Sequence, residues 1–227
     1  MIVPDRNRPL VKICGVRDVS AATVATRAGA DLLGFMFAES RRKVEPRLMI
    51  EVRDALETLD EVRPLLVGVT VNLRAEKIAD LIAQTQMDAI QLSGDERPEL
   101  LSEIDIPVIK TVHVESTTTI DDLRRKASEW LDQSKPVCAL LIDTKVPGHY
   151  GGTGVRADWS LIAGLGADYP LFLAGGLMPG NVGEGIRTVH PWGVDVSSGV
   201  EIDGEKDHAL IESFVVRSRQ AFHSLQL

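Results

Sequence analysis

A chain of 227 residues, 44% hydrophobic and with a net charge of −8, is long enough for one sizeable globular domain, and an α/β barrel fits this length undivided. The negative balance argues against general nucleic-acid binding and against an anionic membrane surface. No run is long and apolar enough to span a membrane and Met1–Arg6 lacks a signal-peptide apolar core, which points to the cytoplasm; the two cysteines, Cys14 and Cys138, suit neither a disulfide framework nor a zinc cluster.

In chain order, residues 1–9 read as an irregular lead-in and Leu10–Cys14 as the first strand. Asp18 can cap a helix that runs to about Ala28, where Gly29 stops it. Asp31–Phe37 is a second strand, apolar enough to be covered on both faces, and it leads into the basic loop Ser40-Arg41-Arg42-Lys43. Pro46 suits the start of a helix reaching about Leu59. Leu65–Val71 is strand three. Arg74–Thr85 is helical, with Ile78, Leu81 and Ile82 on one face. Ala89–Leu92 is strand four, followed by a short helix. Pro107–Thr111 is strand five, Ile120–Leu131 a helix, and Pro136–Ile142 strand six, ending at Asp143. The glycine-rich connection Thr144–Arg156 suggests a mobile lid. Residues 159–165 read as helical. Leu171–Gly176 and the run from Trp192 to Val196 are strands seven and eight. Between them Asn181–Val189 is a helix, with Asn181 as its cap. A closing helix runs from Lys206 to about Phe222, with Leu210, Phe214 and Phe222 at helical spacing.

Strand and helix alternate throughout with no linker, so the expected architecture is a single-domain (β/α)8 TIM barrel over residues 1–227. An open doubly wound sheet is the alternative, although no G-x-G-x-x-G follows the first strand. Functional residues of such a barrel lie at the C-terminal strand ends. Gly175-Gly176 and Ser197-Ser198-Gly199 leave backbone N–H groups open there, suited to a phosphate; the competing reading is that these glycines only make tight turns. Period two puts Lys12 and Cys14 on one face. Cys14 is either a buried core thiol or a base at the pocket mouth, its pKa lowered by neighbouring positive charge. Asp143, ending an apolar strand, either caps its loop or serves as a general acid whose pKa burial raises. Arg41, Arg42 and Lys43 are either a solvated basic face or a carboxylate site. Cys138 reads as core.

Several of these stretches resemble one family. Lys12-Ile13-Cys14-Gly15, Gly34-Phe35-Met36-Phe37 with Ser40-Arg41-Arg42, and Gln91-Leu92-Ser93-Gly94 are similar to the phosphoribosylanthranilate isomerases of tryptophan biosynthesis. So are Leu141-Ile142-Asp143-Thr144, Gly151-Gly152-Thr153-Gly154, Leu173-Ala174-Gly175-Gly176-Leu177 and Val194-Asp195-Val196-Ser197-Ser198-Gly199-Val200-Glu201. The likeness covers nearly the whole chain from Val11 onward. It implies a barrel that performs an Amadori rearrangement of a phosphoribosyl substrate without cofactor or metal. It further implies Cys14 as general base, Asp143 as general acid and Arg42 facing the anthranilate carboxylate. Gly175, Gly176, Asp195, Ser197, Ser198 and Gly199 would hold the substrate and its phosphate. Ser93 departs from the family's usual His, Lys43 from a common aromatic and Met178 from a usual polar residue. Three rivals stand beside this reading: a histidine-pathway ribotide isomerase, an indoleglycerol-phosphate synthase using a lysine such as Lys12 or Lys110, and an inactive sugar-phosphate binder. The sequence leaves monomer and homodimer open.

Overall fold

A computed structural model describes residues 8–115, 117–135, 137–143 and 159–225. The expected glycine-rich lid, including Gly151–Gly154, lies outside the described residues. Among those described, the strands β1 (Leu10–Cys14), β2 (Leu32–Met36), β3 (Leu65–Thr70), β4 (Ala89–Leu92), β5 (Val108–His113), β6 (Ala139–Asp143), β7 (Leu171–Ala174) and β8 (Gly193–Val196) form a closed parallel barrel in sequence order. β1 and β8 complete the circle, with Lys12 opposite Asp195. Closure rules out the open doubly wound alternative.

Strand periodicity explains why the sequence closes this way. Leu32, Val67, Ala89, Ile109, Ala139, Leu141 and Phe172 pack together inside the barrel. The intervening Ile13, Leu33, Phe35, Leu66, Ile90, Leu140, Leu173 and Val194 belong to a second layer beneath the helices. With both faces covered, the strands are near-continuously apolar. Phe172 and Trp192 meet edge to face at 5.3 Å in the inner layer, an arrangement that suits the ring quadrupoles.

The helices are α1 (Val19–Ala28), α2 (Pro46–Leu56), α3 (Ala75–Thr85), α4 (Ile120–Leu131), α5 (Leu165–Asp168), α6 (Val182–Val189) and α7 (His208–Leu225). Asp18 caps α1 by accepting from Ala21 N at 2.7 Å, and Gly29 ends it at φ 91°, a conformation that glycine adopts freely. Arg219 of α7 donates to Pro9 O, Gly29 O and Asp31 Oδ2, tying the last helix to the start of the barrel. Among the described residues no helix is long and apolar enough to cross a membrane.

Four local expectations need correction. β5 continues past Thr111 to His113. Residues 159–165 form a 3-10 turn, Trp159–Ile162, which precedes the four-residue α5; Gly164 at φ 79° separates the two. Lys206 does not begin the closing helix. Instead β9 (Glu201–Ile202) and β10 (Glu205–Lys206) form a hairpin around Asp203 and Gly204, with φ of 52° and 84°. These values match the Asp-Gly preference of a tight hairpin turn. α7 starts at His208, where Asp207 Oδ1 accepts from Leu210 N at 2.8 Å. Finally, Asn181 stands at the cap position of α6, but its side chain does not cap it. Its Oδ1 accepts from Met178 N and its Nδ2 donates to Gly176 O, bracing the loop after β7.

Candidate active site

At the C-terminal face of the barrel a cleft of about 470 Å³ is lined by Cys14, Arg42, Asp143, Gly175, Gly176, Asp195 and Ser197–Gly199. The strand ends thus bring these residues to one place, whereas Lys43 pairs with Glu39 and does not line the cleft. A larger hollow of about 840 Å³ opens on the opposite face around Leu10, Leu65, Trp192 and Arg219 and holds none of them. Catalysis in this fold belongs to the C-terminal face, and the N-terminal face serves stability.

Lys12 and Cys14 do share the inward face of β1. Lys12 is fully buried, and its Nζ donates to Asp195 Oδ1 at 2.8 Å. Gly34 makes room for the pair: a Cβ there would sit 2.8 Å from Cys14 Sγ and 3.1 Å from Lys12 Nζ. Burial works against the Lys12 charge, but Asp195 and Cys14 outweigh it and the lysine pKa is raised. For Cys14 burial also comes first, and it wins. The thiol pKa is raised despite the lowering effect of Lys12 and Lys206. The lowering of the Cys14 pKa expected of a base at the pocket mouth is therefore not met in the resting site, because burial and the Asp195 charge outweigh Lys12 and Lys206. Cys138, one residue before β6, donates its thiol to Val108 O; burial pushes its pKa up to about 12. It packs against the inner barrel layer.

Arg42 is not a free fork. Its Nε donates to Glu201 Oε1 at 2.6 Å and its Nη2 to Glu201 Oε2 at 2.8 Å. Arg41 reaches the same carboxylate from a far more exposed position. Lys206 Nζ donates to Glu201 Oε1 and to Ser197 O, both at 2.9 Å. Burial penalises the Glu201 charge, yet the Arg42 hydrogen bonds and Lys206 hold its carboxyl down at about 2. The bidentate edge that the sequence reading reserved for a ligand carboxylate is thus occupied by the protein's own Glu201. Sequence reasoning overlooked Glu201 and Lys206 as parts of the site; the Asp203-Gly204 turn signal could have found them.

The two glycine-bearing strand ends differ. Gly175 and Gly176 have φ of 85° and 65°, and a Cβ on Gly176 would meet nothing within 4 Å. A Cβ on Gly199 would lie 1.8 Å from Leu177 O. Gly199 is therefore required where the turn after β8 packs against the loop after β7. Asp195 lines the cleft, but its carboxylate is committed to Lys12.

Across the barrel, Asp143 ends β6 with its side chain 27% exposed, so it is half-buried rather than enclosed as expected. His113 of β5 lies opposite it in the strand register, with Nδ1 3.7 Å from Asp143 Oδ2. Sequence reasoning missed His113 by ending the strand at Thr111, although Ile109, Thr111 and His113 continue the inward alternation. Beside them Gln91 Nε2 donates to Ser93 Oγ and Thr111 Oγ1, and the two hydroxyls are 2.9 Å apart. Lys110 points the other way, outside the barrel. Its Nζ is held by Gly94 O and Glu96 Oε2 and lies over Trp130. A lyase built on Lys110 therefore has no geometric basis here.

Fold and cleft together define a (β/α)8-barrel protein whose candidate small-molecule site is the cleft at the C-terminal face. The sequence model of N-(5'-phosphoribosyl)anthranilate isomerase matches residues 11–217. The chain is 39% identical to the N-(5'-phosphoribosyl)anthranilate isomerase of Dehalococcoides mccartyi over 92% of its own length and 95% of the relative's. It is 43% identical to that of Roseiflexus sp., covering 93% and 98%. The crystal structure of phosphoribosyl anthranilate isomerase from Thermotoga maritima superposes with a TM-score of 0.80 at 37% identity, covering 93% of this chain and 99% of that one. A second structure, of a phosphoribosyl anthranilate isomerase in complex with reduced 1-(o-carboxyphenylamino)-1-deoxyribulose 5-phosphate, gives 0.75 at 34%, covering 93% and 99%. The chain belongs to the N-(5'-phosphoribosyl)anthranilate isomerase family.

Proposed function

We propose that the chain isomerises N-(5-phosphoribosyl)anthranilate to 1-(2-carboxyphenylamino)-1-deoxyribulose 5-phosphate in tryptophan biosynthesis, with Asp143 as general acid and Cys14 as general base. The observation that carries this reading is that a carboxyl group and a thiol line the same cleft as the glycine-bearing ends of β7 and β8. Backbone N–H groups at glycine-bearing strand ends suit a phosphate. Asp143 gives a proton to the ribose ring oxygen as the C1′–O bond breaks, leaving an iminium. Its positive charge makes the C2′ proton acidic, and Cys14 removes that proton to form an enolamine. The raised pKa of the resting thiol fits a base recruited late, since a cation arriving beside it favours the thiolate. Return of the proton to C1′ and loss of the enol proton from the C2′ hydroxyl give the ketone; no electrons are exchanged with a cofactor. Arg42 turns its remaining Nη1 toward the anthranilate carboxylate while Glu201 holds the rest of the guanidinium. A turnover assay on this substrate tests the reading: the wild-type chain converts it, and Cys14→Ala and Asp143→Asn each lose most activity. A wild-type chain that binds the ribotide without converting it overturns the reading in favour of an inactive binder.

A further inference from the structure

His113 Nε2 lies 3.1 Å from the backbone carbonyl of Ser93. A carbonyl can only accept, so Nε2 carries the hydrogen. In a neutral imidazole the other nitrogen, Nδ1, is then a bare acceptor, and Nδ1 is the atom that faces Asp143 Oδ2 at 3.7 Å. A bare nitrogen lone pair opposite an ionised carboxylate oxygen is repulsive, and one proton on either partner makes the contact attractive. We propose that His113 and Asp143 hold one proton between them, making His113 the positioning residue that keeps Asp143 supplied with the proton for ring opening; this rests on the assignment of Asp143 as the acid.

The groups around His113 favour this arrangement. β6 contributes the Asp143 carboxyl and β4 leads to the uncharged Ser93 carbonyl. On its own strand Lys110 opposes a positive imidazole, but that ammonium is matched by Glu96 Oε2 at 2.7 Å. Asp143 raises the His113 pKa above its ordinary value, more than burial and Lys110 lower it. Because the facing carboxylate raises the His113 pKa, the pair keeps its proton on the imidazole nearer to neutrality than an ordinary histidine would. That one proton crosses from Nδ1 to Oδ2 and passes from the Asp143 carboxyl to the sugar oxygen, leaving a neutral imidazole beside an ionised carboxylate. The His113 side chain is 54% exposed, so water can reload it.

The test uses the full chain with labelled histidine, the His113 signal being assigned from its loss in His113→Gln. His113 is expected to titrate above its ordinary value as the Nε2–H tautomer, and to fall back in Asp143→Asn. His113→Gln is expected to keep its KM within about twofold while the alkaline limb of its kcat profile moves to lower pH by about one unit. Turnover at about pH 8.5 is then lower by about tenfold, and the gap closes near about pH 6. A His113 titration unmoved by Asp143→Asn, or an alkaline limb unmoved in His113→Gln while Asp143→Asn is inactive, overturns the shared proton alone. Near-normal turnover by Asp143→Asn overturns the acid assignment on which it rests.

Discussion

Lys12 Nζ lies 2.8 Å from Asp195 Oδ1 across the seam where β1 meets β8, with both side chains buried beside Cys14. This pair joins the two ends of the barrel. Removing one partner strands a buried charge, so Lys12→Met or Asp195→Leu should each cost about 3–5 kcal/mol. Lys12→Met combined with Asp195→Leu should recover much of that loss. Urea unfolding measures all three, and two additive single losses would show that the ion pair is not the coupled unit. Because the Lys12 pKa is raised in the folded state, its contribution is complete below the ordinary value of 10.5 and is lost as pH climbs through the folded value.

Cys14→Ala should lower turnover by about 10²–10⁴-fold with smaller effects on binding. Cys14→Ser should be nearly as damaging, because a hydroxyl is too weak an acid to yield the base. Cys138→Ala should change stability more than turnover. Since burial keeps resting Cys14 protonated, iodoacetamide should react with it slowly near neutral pH. Rapid labelling of Cys14 in the free enzyme would contradict that ordering of forces.

Arg42→Ala should raise the KM by about tenfold or more, as expected for a charge-assisted hydrogen bond worth about 1.5–3 kcal/mol. Arg41→Ala, at a far more exposed position, should do less. The reverse order in steady-state kinetics would transfer the carboxylate role to Arg41.

Glu201 has a depressed carboxyl, about 2 against an ordinary 4.5. Its stabilising contribution is therefore complete above about the ordinary value and is lost as pH falls toward about 2. Glu201→Gln should flatten the acid unfolding curve in that window. An unchanged acid limb, followed by circular dichroism, would mean that Arg42 and Lys206 do not depend on this carboxylate.

Gly176 and Gly199 should respond differently to substitution. Gly199→Ala forces a Cβ against Leu177 O at 1.8 Å, so it should disrupt both the fold of the clamp and its binding. Gly176→Ala meets only the left-handed backbone penalty of about 1–2 kcal/mol and should mainly weaken substrate binding. Thermal unfolding and KM measured together separate the two; equal melting losses would deny the packing role of Gly199.

What the sequence determined by itself is local or periodic. Alternation within Leu10–Cys14 set Lys12 and Cys14 on one face, and Asp18 and Gly29 bounded α1 through contacts within a few residues. Repeated strand–helix order made the parallel barrel legible, and strand ends then named the cleft. The tertiary structure decided which groups compete for each charge. Lys12 meets Asp195 across 183 residues and Arg42 meets Glu201 across 159. Closure of the barrel also set His113 beside Asp143 and pressed Gly199 onto Leu177. Such partners lie on different strands, and no periodicity within one segment encodes the register between segments. Whether Cys14 rests as thiol or thiolate followed from that register, because burial and the Asp195 charge are properties of the closed barrel rather than of the strand that carries the sulfur.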